Sequence, residues 1–425
     1  MSELPDTYKA VKLYLPSRDI RVEDVPKPEI SNPDDAIVRI ELAGLCGSDL
    51  HCYRGNEPFS GPFICGHEFV GRVVALGTSF LSANASANVS GRPELYSTLS
   101  LGDRVISPFT SSCSECQACR LGFFCRCTHA RLFGTPTLPG GQAQYIVVPH
   151  AGGTLSKAPT DPSLPLGTIP EFALLLLADI LPTGYFAALQ VLNHPNILPC
   201  LTARPFPQLS PLLQDVVYAF WQPAFGAEDA SLDIAVVGLG PVGVCALIAL
   251  LDFLFPDGKT RLGPSTPRIV GIDPLPLRRT RAQQIISEYW SNVSVEFVAP
   301  EDAPEDTFNG VLEVVGSNNA LALSYKLIKP FGVISSVGVH NNEKDLPFSG
   351  GLMYDKNVSL SFGRCPVRAL MPLATDLLLR RRDIFTAIGT ETALVERIVP
   401  LSEAREAYEK FDKGIWGKVL FDPWK

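Results

Sequence analysis

Four cysteines, Cys113, Cys116, Cys119 and Cys127, stand within fifteen residues as Cys-x2-Cys-x2-Cys-x7-Cys. Tetrahedral zinc needs four thiolates converging at about 2.3 Å each, and two-residue spacers bring successive sulfurs onto one centre. A closed four-sulfur site has no open position, so it holds a loop and performs no catalysis. Cys125 lies within the same lobe and leaves the identity of the fourth ligand open. A second constellation lies upstream. Gly44-Leu-Cys46-Gly-Ser48-Asp49-Leu-His51 and Gly66-His67-Glu68 offer a thiolate, two imidazoles and carboxylates within 23 residues. A catalytic zinc needs three protein ligands and a fourth position for water or substrate.

A third pattern is built to receive a phosphate group. Ile234-Ala-Val-Val-Gly238-Leu-Gly240-Pro241-Val242-Gly243-Val-Cys-Ala-Leu reads as an apolar strand, a glycine turn and an apolar helix. The glycines let the backbone turn tightly and approach a pyrophosphate, and the helix N-terminus presents free N–H groups to it. Asp273, closing the strand pattern Arg268-Ile-Val-Gly-Ile, is placed to accept hydrogen bonds from a ribose. It lies 30 residues beyond Gly243 where about 20 is usual, and the Pro- and Gly-containing stretch 255–267 accounts for the excess. A carboxylate there opposes a 2′-phosphate and favours NAD over NADP, while Arg278 and Arg279 nearby leave room for NADP.

Together these residues resemble the zinc-dependent medium-chain dehydrogenase/reductase family of alcohol, sorbitol, threonine and formaldehyde dehydrogenases. The motifs that carry the resemblance are Gly66-His67-Glu68, the cysteine lobe, Gly238-x-Gly240-Pro-Val-Gly243 and the closing Gly414-Ile-Trp-Gly-Lys418-Val. The resemblance implies an α/β architecture of two domains: a GroES-like β-barrel catalytic domain and a doubly wound parallel-sheet Rossmann domain. It implies two zinc ions per chain, the catalytic one held by Cys46, His67 and Asp179, with Glu68 beside the metal. Asp179 precedes Leu-Pro-Thr-Gly-Tyr185, which is most similar to the glutathione-independent formaldehyde dehydrogenase branch. Zinc then acts as a Lewis acid on an alcohol whose hydride leaves to nicotinamide. Ser48 matches the family's relay hydroxyl and His51 the imidazole that passes the proton to solvent. Val337, Gly338 and Val339 match the stretch beside the nicotinamide. Arg364 is either a pyrophosphate contact or a solvated surface cation. The family further implies a homodimer or homotetramer.

The elements that must position these groups can be read from periodicity. From Tyr8 to about Val148 short alternating runs such as Val38-Arg-Ile-Glu-Leu42 and Phe69-Val-Gly-Arg-Val-Val74 predict strands with the chemistry in their loops. From Ile234 to about His340 apolar strands alternate with helical stretches, the mark of a parallel doubly wound sheet. The expected division is a catalytic domain over 1–180, a nucleotide domain over 181–344 and a return to the first domain over 345–425. Two stretches, 81–99 and 192–230, read as surface insertions.

At 425 residues two domains are the better prior. Lys+Arg 36 against Asp+Glu 44 gives a net charge of −8, which supplies no basic field for nucleic acid or anionic lipid and points to a small neutral or organic ligand; the resemblance narrows this to an alcohol or aldehyde. The uncharged run 234–251 has the length of a membrane span, but its central glycines and proline fit a strand, turn and helix better. The charged first ten residues carry no secretory pattern, so a cytoplasmic protein is expected, in which eleven cysteines mean metal or thiol chemistry before disulfides. The rival class is a catalytically silent zinc- and nucleotide-binding protein; the rival within enzymes is a polyol or amino-alcohol dehydrogenase.

Overall fold

The computed structural model describes residues 4–81, 91–161, 167–204, 230–256, 263–340 and 345–425. The chain forms two compact units, residues 1–182 with 365–425, and residues 183–364.

The first unit is built on sheets that are antiparallel except for the parallel pair Val395–Pro400 and Lys418–Asp422. A seven-stranded sheet runs Val395–Pro400, Lys418–Asp422, Ala36–Leu45, Phe69–Leu76, Arg104–Ser107 and Ser156–Lys157, with Tyr145–Val148 also pairing Ala36–Leu45. A smaller sheet places Thr7–Leu15 between Asp19–Pro26 and Gly61–Ile64. Alternation in Ala36–Leu45 sends Val38 and Ile40 into a core with Phe69, Val73, Phe133, Leu155, Tyr408 and Phe421. That strand pairs Phe69–Leu76 through two register shifts, Ile37/Val38 and Ile40/Leu42. Such irregularities bend a strand and re-aim the residues beyond it, and both strands end against the Cys46 and His67 segments.

The second unit is a six-stranded parallel sheet in the order Val295–Val298, Arg268–Ile272, Asp233–Val237, Phe308–Glu313, Ile328–Ser336, Ser359–Phe362. The strand order reverses beside Asp233–Val237, the doubly wound arrangement expected from the sequence. Strands covered on both faces read as continuous apolar runs, as Ile234-Ala-Val-Val237 does. The uncharged stretch 234–251 is this strand, a turn and the buried helix Pro241–Leu254. Among the described residues no single helix is long and apolar enough to cross a membrane.

Three expectations need correction. The return to the first unit comes at Cys365, not at 345, because the chain first adds the helix Gly350–Lys356 and the sixth parallel strand. That strand is half-exposed at the sheet edge, so Ser-Leu-Ser-Phe carries too little apolar pattern to announce it. The proposed insertion 81–99 is not all surface: Tyr96, on the helix Leu95–Thr98, is 3% exposed against Phe80, and Leu99 joins the core. The proposed insertion 192–230 likewise starts in buried structure, with Ile197 and Cys200 packed inside; residues 205–229 lie outside those described.

Candidate active site and cofactor site

Cys46 follows the strand Ala36–Leu45 and immediately precedes the helix Gly47–Tyr53. The helix starts there because Asp49, at its third position, accepts the Cys46 backbone N–H at 2.9 Å, satisfying one of the donors a helix start leaves orphaned. The other Asp49 oxygen accepts from His67 Nδ1 at 3.1 Å. One buried carboxylate thus fixes the turn that carries the thiol and the tautomer of the imidazole, leaving Nε2 as the free donor atom for a metal. His67 sits between Gly61–Ile64 and Phe69–Leu76. Asp179 occupies the break between the 3-10 turn Leu176–Ala178 and the helix Ile180–Leu192, with φ −154° and ψ −71°.

These three residues converge. One ligand atom from each of Cys46, His67 and Asp179 lies within 4.8 Å of the others. Asp179 Oδ2 is 3.2 Å from His67 Nε2 and 3.6 Å from Cys46 Sγ, and Ser48 Oγ is 3.0 Å from His67 Nε2. All three are buried. Burial pushes the Cys46 thiol up, and the neighbouring Glu68 and Asp179 charges push it further. Burial works against a charged His67, yet the Asp49 charge and hydrogen bonds to Asp179 and Asp49 outweigh it and hold the imidazole well above its usual value. The buried thiol, imidazole and carboxylate offer one S, one N and one O donor within reach of one another, a mixed set that fits zinc with a position to spare.

Glu68 and Lys418 form a fully buried ion pair beside this set. Lys418 Nζ also donates to the Leu45 carbonyl at 3.2 Å, while Glu68 Oε1 has no partner. Burial raises the Glu68 carboxyl and the Lys418 ammonium draws it back. His51 lies on the same short helix as Ser48, half-buried. Sequence reasoning gave no role to Asp49 or Lys418. The signal for Asp49 was its capping position three residues after Cys46, and for Lys418 a charge opening the buried strand Lys418–Asp422.

The second cluster also closes. Ligand sulfurs of Cys113, Cys116, Cys119 and Cys127 lie within 4.8 Å of one another, and Cys125 falls outside the group. Backbone N–H groups point at the sulfurs: Cys113 and His129 donate to Cys127 Sγ, each at 3.3 Å, and Cys116 donates to Cys113 Sγ at 3.3 Å. Backbone N–H groups of Cys119 and Thr128 hold the Cys116 thiol down at about 6. Amides aimed at sulfur favour thiolates, so the lobe fits a second zinc. None of the eleven cysteines is in a disulfide.

In the other unit the glycine turn has the expected form. Gly240 caps the helix Pro241–Leu254, with Val242 in its first turn, and a side chain at Gly240 would meet nothing within 4 Å. At Gly243 a Cβ would lie 1.8 Å from the Gly238 carbonyl oxygen, so only glycine lets helix and turn pack this closely. Open space before a helix N-terminus fits a pyrophosphate. Asp273 is 1% exposed: its oxygens accept the Leu239 N–H at 2.8 Å and the Leu275 N–H at 2.9 Å, bracing the turn from behind. Arg278 Nη1 stands 3.6 Å from it and Arg279 donates to its carbonyl at 2.5 Å. Val337, Gly338 and Val339 follow the strand Ile328–Ser336, and Arg364 follows Ser359–Phe362, all at the C-terminal ends of the parallel strands.

The alcohol dehydrogenase GroES-like domain model matches residues 32–160. A zinc-type alcohol dehydrogenase B from Aspergillus flavus is 34% identical over 418 residues, 97% of this chain and 81% of the relative. A glutathione-independent formaldehyde dehydrogenase from Pseudomonas aeruginosa is 25% identical over 97% of this chain and 96% of its own. Among solved structures, the alcohol dehydrogenase from Thermus sp. ATN1 superposes with a TM-score of 0.70 at 26% identity, covering 97% of this chain and 99% of that one. The chain belongs to the zinc-dependent medium-chain dehydrogenase family, with GroES-like and Rossmann domains. It is a zinc-dependent oxidoreductase of the alcohol dehydrogenase type.

Proposed function

We propose that the protein oxidises a small alcohol, or the hydrate of a small aldehyde, with NAD as hydride acceptor. The observation that carries this reading is that ligand atoms of the buried Cys46, His67 and Asp179 lie within 4.8 Å of one another. A zinc ion held by these three would supply Lewis acidity toward the substrate oxygen. The chain's own groups do the rest. Asp49 keeps His67 oriented through Nδ1, so that Nε2 stays a metal donor. Ser48 Oγ, at the ligand cluster, takes the substrate's hydroxyl proton as the hydride departs, and His51 on the same helix turn is the group that passes it to water. Lys418 balances the Glu68 charge so that the pocket carries no uncompensated carboxylate there.

On the nucleotide side, Gly238, Gly240, Pro241, Val242 and Gly243 take the pyrophosphate, with Arg364 as a further cation for it. Asp273 supports NAD, since its charge opposes a 2′-phosphate, whereas the half-buried Arg278 and Arg279 beside it favour NADP. The 337–339 stretch takes the nicotinamide. The Asp179 motif supports an aldehyde hydrate among the substrates. The test joins metal analysis to a reduction screen with NAD and NADP over alcohols, hydrated aldehydes, polyols and amino alcohols. About two zinc ions per chain and NAD-linked turnover of an alcohol or hydrate are expected. A zinc-replete protein that reduces neither nucleotide with any of these would overturn the reading.

A further inference from the structure

A buried cluster in the second unit takes no part in the chemistry of zinc or of proton transfer. Glu313 ends the strand Phe308–Glu313 and is fully buried. Its Oε1 accepts the backbone N–H groups of Val315 and Gly316, both at 2.8 Å. Its Oε2 accepts the Ser336 hydroxyl at 2.6 Å and lies 3.2 Å from His340 Nε2, which is itself 3.1 Å from Ser336 Oγ. Because hydroxyl and carboxylate meet the same ring nitrogen, this is no nucleophile–base–acid relay, which would use both nitrogens. It is a clasp. Ser336 and His340 are the two flanks of Val337, Gly338 and Val339, and a single carboxylate oxygen ties both flanks down. The His340 ring packs on Phe362 at 4.8 Å. On its other side the loop is pressed against Gly316: a Cβ at Gly338 would lie 2.1 Å from Gly316 N, and one at Gly316 would lie 2.3 Å from Val339 N. The turn after Glu313 is also near the dinucleotide turn, since a Cβ at Gly238 would meet Val315 Cγ2 at 2.5 Å. The clasp thus stands at the C-terminal ends of strands next to the strand-order reversal, where doubly wound sheets bind ligands.

We infer that His340, through Glu313, is a positioning residue for the nicotinamide end of the cofactor: it holds the 337–339 backbone in its binding shape before the cofactor arrives. This rests on the proposed reading of the second unit as the dinucleotide site. Preordering a loop removes an ordering cost from binding, and it should act only on ligands that reach that loop. Equilibrium binding of NADH and of ADP-ribose, which lacks the nicotinamide, separates the cases. For His340→Ala the NADH Kd should rise about tenfold, the scale of a lost charge-assisted hydrogen bond, with the ADP-ribose Kd within about twofold of the parent's. His340→Phe keeps a ring against Phe362 without the carboxylate bond and should show the same split, so the test survives if the Ala variant does not fold. His340→Gln, which can still donate to Glu313, should recover most of the affinity. NADH binding unchanged in the Ala and Phe variants, or both ligands weakened equally, overturns the inference while leaving the dinucleotide site in place. Failure of the parent protein to bind either ligand overturns the site reading itself.

Discussion

The first unit contains two sets of candidate metal ligands made on opposite plans. In the cysteine lobe all ligands come from fifteen consecutive residues and are held by short turns and by backbone amides pointing at sulfur. In the other centre Asp179 is 133 positions from Cys46 and 112 from His67, and the three meet only after the sheet has formed. A local site depends on its own loop; a dispersed one depends on every element that carries a ligand. The difference suits the uses. Four thiolates fill the coordination of zinc and leave a rigid knot, whereas three ligands of mixed chemistry, propped by Asp49 and flanked by a neutralised Glu68, leave room for a reacting oxygen.

The contrast can be broken most directly at Cys46. Cys46→Ser should lower kcat/KM by about three orders of magnitude or more while nucleotide binding persists and the lobe zinc is retained, leaving about one zinc per chain. Steady-state rates with metal analysis check this, and surviving turnover would remove zinc from the chemistry. Asp49→Asn keeps the shape of the helix start but weakens the support of His67. A loss of about 10–100-fold in activity or metal affinity is expected, measured by chelator-driven zinc release, with the cysteine-lobe zinc leaving at its parental rate. The smallest effect on the reaction should come from Cys116→Ala. That change should lower Tm and cost the second zinc, yet leave initial rates at low temperature within about tenfold of the parent's, because the lobe supports structure alone. A rate loss as deep as that of Cys46→Ser would mean that the two plans are not separate.

The same contrast explains what the sequence revealed. The cysteine lobe is legible from spacing because sequence distance and spatial distance coincide there, and only the choice between Cys125 and Cys127 had to wait for the fold. The glycine turn is legible for the same reason, since strand, turn and helix are consecutive. Asp179 is not: an aspartate before a helix looks like any cap, and only the resemblance to a family singled it out. Lys418 escaped because its partners Glu68 and Leu45 are hundreds of residues away, and of the two contacts of Asp49 only the cap on Cys46 is local, while the one to His67 needs the fold. The half-exposed edge strand Ser359–Phe362 was lost to weak periodicity, and Tyr96 to its Ser- and Asn-rich surroundings, which hid a core residue.

The pair formed by Glu68 and Lys418 joins residues 350 positions apart. A ribosome building this chain releases Cys46, His67 and Asp179 long before the ammonium that offsets Glu68. During that interval a nascent catalytic pocket would hold one more negative charge than the finished one. The cysteine lobe needs nothing from the carboxy-terminal segment for its ligands and can be loaded first. The last strand to be made thus carries the counter-charge for a carboxylate laid down near the start.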